Sequence, residues 1–175
     1  MELRTYLRAV DAAVREGIPA ALGEIRHQSR GSLAKWWYGN RAIHYESTLR
    51  PRQRSIEIGL HFEADELTNA RLLAAFRAHA KPIARRLGEV RIEEWDRGWA
   101  RVWEPIALTE PPGVRNGTAV GLRIAAYVSV LEPILRDELP GDVDWSLGAT
   151  PRHRTLAAGA TPAAAPRRRP RGRSR

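Results

Sequence analysis

The stretch Ser55-Ile-Glu-Ile-Gly-Leu-His-Phe-Glu63 alternates without a break: Ile56, Ile58, Leu60 and Phe62 point one way, and Glu57, Gly59, His61 and Glu63 the other. A period of two sustained at this length marks a β-strand with one apolar and one polar face. The residues upstream continue it. Leu33–Tyr38 and Arg41–Thr48 flank Gly39-Asn40, a two-residue loop with glycine first, which suits a tight hairpin. That register sets Trp36 opposite Ile43 and Ala34 opposite Tyr45 on the apolar face, with Lys35 opposite His44, beside Trp37 and Glu46, on the polar one.

Downstream, Glu89–Trp95 and Trp99–Ala107 flank Asp96-Arg97-Gly98, a three-residue hairpin loop with Gly98 at its left-handed position. The register pairs Ile92 with Val102 on one face, and Trp95 with Trp99, Glu93 with Arg101 and Arg91 with Trp103 on the other. Each is a favourable cross-strand pair worth ~0.2–1 kcal/mol.

Three helices complete the pattern. Residues 2–16 carry Leu3, Leu7, Val10 and Val14 at helical steps, stopped by Gly17 and Pro19. A helix capped by Asp65 or Thr68 runs to Leu87 with the stripe Leu73, Phe76, Ala80, Ile83 and Leu87, and Pro82 inside it predicts a kink or a break. A last helix from Thr118 to Leu139 holds Val120, Ile124, Val128, Leu131 and Leu135 in one stripe. The order α-β-β-β-α-β-β-α predicts an α+β fold of two layers, an antiparallel sheet of about five strands with helices on one face. This order resembles that of the secretion-chaperone-like α+β fold over roughly residues 2–140. The resemblance is one of topology, and it implies a small binding protein, often dimeric.

The chain has 175 residues, 29 Lys plus Arg, 20 Asp plus Glu and no cysteine, for a formal charge of +9. The charge is unevenly placed. Residues 149–175 hold eight arginines and no acid, so residues 1–148 hold 21 basic and 20 acidic residues, a net of +1. The division predicts one domain over 1–148 and a disordered Ala/Pro/Arg-rich tail over 149–175, since the tail has almost nothing to bury. Arg167, Arg168, Arg169, Arg171, Arg173 and Arg175 suit nonspecific, salt-dependent contact with polyanions such as nucleic acid. The absence of cysteine excludes disulfides, thiolate-bound zinc and a cysteine nucleophile. With no long apolar run and no apolar leader at Met1–Arg4, the expectation is a cytoplasmic protein with no membrane partner.

Phosphate loops, G-x-G-x-x-G, G-x-S-x-G and H-E-x-x-H are all missing from the chain. Glu57-Ile58-Gly59 has glycine where a restriction-nuclease-like E-x-K would place its lysine. Two features remain, both on the polar sheet face. One is aromatic: Trp37, Trp95, Trp99 and Trp103 among Arg91 and Arg101, a set too large to leave in water. It predicts cover from residues 2–25 or Asp142–Leu147, or a docked protein partner or second copy, since Trp and Arg are favoured interface anchors, or single-stranded nucleic acid stacked on the rings with the tail as its electrostatic arm. The other is a pair of H-x-E motifs, His44-Tyr45-Glu46 and His61-Phe62-Glu63, joined by Glu57. Two-residue spacing puts each His and Glu on one strand face, a donor set suited to zinc, manganese or iron or else to a solvated face of paired charges. The reading favoured by the sequence is a non-enzymatic binding module without a cofactor, and the alternative is a divalent-metal-dependent enzyme at the H-x-E strands.

Overall fold

The computed structural model describes residues 3–139, and the expected boundary at 148, the segment Asp142–Leu147 and the arginine tail lie outside the described residues. Four α-helices and six strands follow in the order α1 (Leu3–Gly17), β1 (Arg26–Arg30), β2 (Leu33–Trp37), β3 (Ile43–Arg50), β4 (Ser55–Phe62), α2 (Glu66–Ala78), α3 (Ala80–Leu87), β5 (Arg91–Asp96), β6 (Trp99–Ala107) and α4 (Val114–Glu138). The strands form one antiparallel sheet in the order β1-β2-β3-β4-β6-β5. The fold is the expected α+β class, with one strand more than the five expected.

The extra strand is β1. Arg26-His27-Gln28-Ser29-Arg30 contains no apolar residue, so it carries no hydrophobic period to read. It forms because the chain doubles back through Gly31-Ser32, with Gly31 at φ +59°, and because an edge strand needs only one partner.

β4 lies inside the sheet, paired with β3 on one side and β6 on the other. Its residues Ile56, Ile58, Leu60 and Phe62 are all buried, together with Ala34, Trp36, Ile43, Tyr45, Leu49, Ala100 and Val102 of the neighbouring strands. The helices cover this face. Phe76 of α2 meets Phe62 with ring centroids 5.2 Å apart, and Asp11 of α1 accepts a hydrogen bond from Trp36 Nε1 at 2.9 Å. In α4 the whole expected stripe, Val120 to Leu135, is buried. Among the described residues α4 is the one helix long and apolar enough to cross a membrane, and in this fold its apolar side is packed into the core. Gly117 and Gly121 let α1 approach it closely: a Cβ on Gly121 would stand 2.4 Å from the Val10 carbonyl oxygen. Glu132, buried on the same helix, accepts from Tyr45 Oη and Arg136 Nε, both at 3.0 Å.

Helix ends depart from the sequence expectation in small, explicable ways. α1 buries Tyr6, Val10, Ala13 and Val14, so its inner face is rotated toward Tyr6 and leaves Leu3 and Leu7 half-buried. Asp65 caps α2 through Oδ1, which accepts from Thr68 N at 3.0 Å. The helix breaks at His79, ahead of Pro82, whose ring excludes the carbonyl of Ala78 four residues earlier. α4 starts at Val114 rather than Thr118, because Asn116 Oδ1 accepts from Gly113 N at 2.7 Å and closes the first turn.

Two hairpin registers are corrected. Trp36 pairs with Tyr45, Lys35 with Glu46 and Ala34 with Ser47, two residues from the expected register. The loop is longer than Gly39-Asn40 because Asn40 Oδ1 accepts from Ala42 N at 2.9 Å, a local turn that takes the place of ladder pairs. In the β5–β6 hairpin, Arg91↔Trp103, Ile92↔Val102 and Glu93↔Arg101 stand as expected, but Asp96 and not Trp95 faces Trp99. Arg97 and Gly98 both take positive φ, 51° and 74°, making a two-residue turn that suits the strand twist, and Trp95 becomes the extra residue of a bulge.

Candidate functional site

The alternation that sends Ile56 to Phe62 under the helices sends Glu57, Gly59, His61 and Glu63 to the opposite face, where the described residues place no helix. Register then decides which side chains meet. One row across the sheet reads Gln28, Lys35, Glu46, Gly59, Trp103, Arg91, and the next brings His44 beside His61, then Arg101 and Glu93.

Trp103 is the anchor of the first row. It is 7% exposed although no helix among the described residues covers it. Arg101 lies over its ring at 3.8 Å from the centroid and Arg91 at 4.9 Å. Its Nε1 donates to Glu93 Oε1 at 2.7 Å, and the same carboxylate accepts from Arg101 at 2.9 Å. Cation–π contacts of this kind contribute about 0.5–2 kcal/mol each. The ring also needs room at its base, which Gly59 supplies: a Cβ there would stand 2.6 Å from Trp103 Cβ and 2.5 Å from the Val102 carbonyl oxygen.

The remaining tryptophans form a rim. Trp95 is 41% exposed, tilted against Trp99 with centroids 5.8 Å apart, edge-on to His61 at 5.9 Å, and under the Arg101 guanidinium at 5.0 Å. Trp37 and Trp99 are half-buried, and Arg41 lies over Trp37 at 5.4 Å. The expected patch of four open tryptophans is therefore smaller than its composition implied, because arginines and Gly59 bury one of them. The expected cover from residues 2–25 does not form: α1 packs on the other face, against Trp36 and α4.

Between the rims sits the His/Glu cluster. The structure brings His44, Glu46, His61 and Glu63 together, with one donor atom of each within 4.8 Å of the others. The rings of His44 and His61 stack at 5.6 Å. His44 Nε2 is 3.3 Å from Glu46 Oε2 and 3.8 Å from Glu63 Oε1, and His61 Nδ1 is 3.9 Å from Glu63 Oε1. Lys35 Nζ reaches both carboxylates, at 3.3 and 3.4 Å. Glu57 stays outside. It pairs with Arg50 at 3.0 Å and approaches Arg101 at 4.0 Å, four residues along β4 from His61, roughly 13 Å at strand rise.

Burial and partners tune these groups. Burial pushes the His61 imidazole down to about 3, so it is neutral near neutral pH. Burial works to raise the Glu46 carboxyl, but contacts from His44, Thr48 and Lys35 outweigh it and hold it well below the usual carboxylate range. Neutral imidazole and ionised carboxylate are the forms that ligate a transition metal. Three contributors escape a sequence reading. Lys35 faces Glu46 and not His44, Thr48 Oγ1 donates to Glu46 Oε1 at 2.7 Å, and Gly59 faces Trp103. The last could not be found locally, since α2, α3 and β5 separate β4 from β6 in the chain.

Gly59→Ala tests the packing. Alanine in a strand interior normally stabilises by about 0.5–1 kcal/mol relative to glycine. Here the contact with backbone reverses the sign, and urea unfolding should show a loss of about 1–3 kcal/mol. A variant as stable as the wild type would contradict the described approach of Trp103. Compared with known proteins, the chain matches no protein-family model, no curated protein and no solved structure.

Proposed function

We propose that the chain is a non-enzymatic binding module whose working surface is the helix-free face of the sheet, and that its occupant is a protein, a second copy of the chain being the first to test. The observation that carries this reading is Trp95, 41% exposed yet held in place by Arg101, His61 and Trp99. An aromatic ring already ordered in the free protein loses little freedom on docking, which favours affinity. Arg91, Arg101, Trp37 and Trp99 around it are the residue types that anchor interfaces.

The tail belongs to the proposal as an auxiliary arm. Arg167, Arg168, Arg169, Arg171, Arg173 and Arg175 would draw the module toward polyanions without reading sequence. A cytoplasmic setting is part of the same reading, in keeping with a chain that contains no cysteine. A second reading, a metal-dependent enzyme, draws on the His44, Glu46, His61 and Glu63 cluster, and its first requirement is cation binding.

Sedimentation of the full chain over a range of concentrations tests the docking surface. Self-association that weakens at least tenfold in Trp95→Ala supports it, and a wild type that stays monomeric throughout removes the second copy as occupant. The tail is tested with a short single-stranded DNA at rising salt. Binding should fall steeply with salt and disappear on deletion of 149–175, and affinity that survives the deletion would place the cationic arm elsewhere.

A further inference from the structure

We infer that His44, Glu46, His61 and Glu63 bind a divalent first-row transition-metal cation of the zinc or cobalt type. The inference goes beyond the docking proposal and does not depend on it.

The first ground is the convergence of possible ligand atoms. His44 Nδ1 lies 2.9 Å from the Arg41 carbonyl oxygen, which can only accept, so Nδ1 carries a proton and donates it there. His44 Nε2 then faces Glu46 Oε2 at 3.3 Å and Glu63 Oε1 at 3.8 Å, so the remaining ring nitrogen and an oxygen of each carboxylate turn toward one another. A cation held among these three atoms would be shared by all of them. Lys35 Nζ lies beside both carboxylates, at 3.3 and 3.4 Å, and is the cation a metal ion would compete with.

The second ground is a separate observation at His61. His61 is 7% exposed, and its Nδ1, on the side of Glu63, is buried with no hydrogen-bond partner. Buried polar atoms are ordinarily satisfied, so an orphaned imidazole nitrogen beside a second imidazole and two carboxylates points to a ligand.

Geometry and supporting contacts agree. Bonds of about 2.0–2.1 Å to a tetrahedral zinc place neighbouring donors about 3.3–3.4 Å apart. The His44–Glu46 separation already matches, the 3.8 and 3.9 Å separations need to close by a few tenths of an ångström, and the other donor pairs lie within 4.8 Å and must draw in as well. The outer contacts are those that orient ligands: the Arg41 carbonyl holds the His44 tautomer, and Thr48 Oγ1 holds the Glu46 carboxylate at 2.7 Å, leaving Oε2 toward the cluster. Two imidazoles with two carboxylates select zinc or cobalt over magnesium or calcium, which prefer all-oxygen sites.

The experiment is a cobalt(II) titration of the full, untagged chain, followed by visible absorption. The expected result is one equivalent bound, displaced by zinc and not by a large excess of magnesium. His61→Gln and Glu63→Gln, with melting temperatures near that of the wild type, should each weaken binding at least tenfold. Lys35→Gln removes a competing positive charge and no ligand, so it should tighten binding. A wild type that takes up no cobalt at micromolar concentration overturns the inference, as does binding unchanged in both ligand variants. If those variants fail to fold, Lys35→Gln decides: unchanged or weaker binding contradicts the site. Cation uptake by a chain that never self-associates would support this site while removing the second copy from the docking proposal.

Discussion

Every side chain of β4 must serve one of two surfaces, and the molecule is built around that division. The strand is interior to the sheet, so both its faces are shared with neighbours, and the helices of the described residues cover only one. Ile56, Ile58, Leu60 and Phe62 join the core with Trp36, Tyr45, Phe76 and the α4 stripe. Burial on this scale stabilises by ~1.5–3 kcal/mol for each large apolar side chain, so a one-residue slip of β4 would be prohibitive. The same alternation obliges Gly59, His61 and Glu63 to face away from the helices. The composition of the opposite face is thus fixed by the core as firmly as the core itself.

Among the described residues, that opposite face achieves burial without a covering layer. Trp103 is enclosed by two guanidiniums, a carboxylate and the space left by Gly59. His44 and His61 are enclosed by stacking on each other and by Trp95. A sheet face that ordinarily would be either wet and charged or apolar and capped is here assembled as a layer of paired side chains. Desolvated imidazoles and a carboxylate held ionised follow from that enclosure, and so does the single aromatic ring left open at its edge.

The alternation of β4, the α4 stripe and the first three pairs of the β5–β6 hairpin are all legible in the sequence, because burial imposes a period that side chains reveal. The faces survive even where the register does not. The β2–β3 pairing lies two residues from the position that Gly39-Asn40 suggests, yet a shift of two returns each side chain to its own face. What the shift changes is partnership: Lys35 joins Glu46 instead of His44. Three things leave no such trace. β1 has no apolar residue to show a period, the Trp95 bulge depends on Arg97 tolerating φ 51°, and the His44–His61 alignment depends on β3–β4 pairing across the Ser47–Arg54 stretch. The grouping of Glu57 with the H-x-E motifs shows the limit. All five residues share a face, but only the register reveals that Glu57 turns to Arg50 and Arg101 instead.

The charge of +9 takes its meaning from this architecture: nearly all of it sits beyond residue 148, whereas the helix-free face balances its arginines and lysine against glutamates. The docking proposed for that face would therefore rest on aromatic rings and enclosed polar groups, and it requires that the face be available. Hydroxyl-radical footprinting of the full chain, read residue by residue in mass spectra, tests it most directly. In protein dilute enough to be monomeric, Trp36 and Trp103 should be protected and Trp95 modified, with Trp95 becoming protected when a partner or second copy is bound. Protection of Trp95 equal to that of Trp36 in the dilute monomer would show that the chain covers this face itself, and would contradict the account.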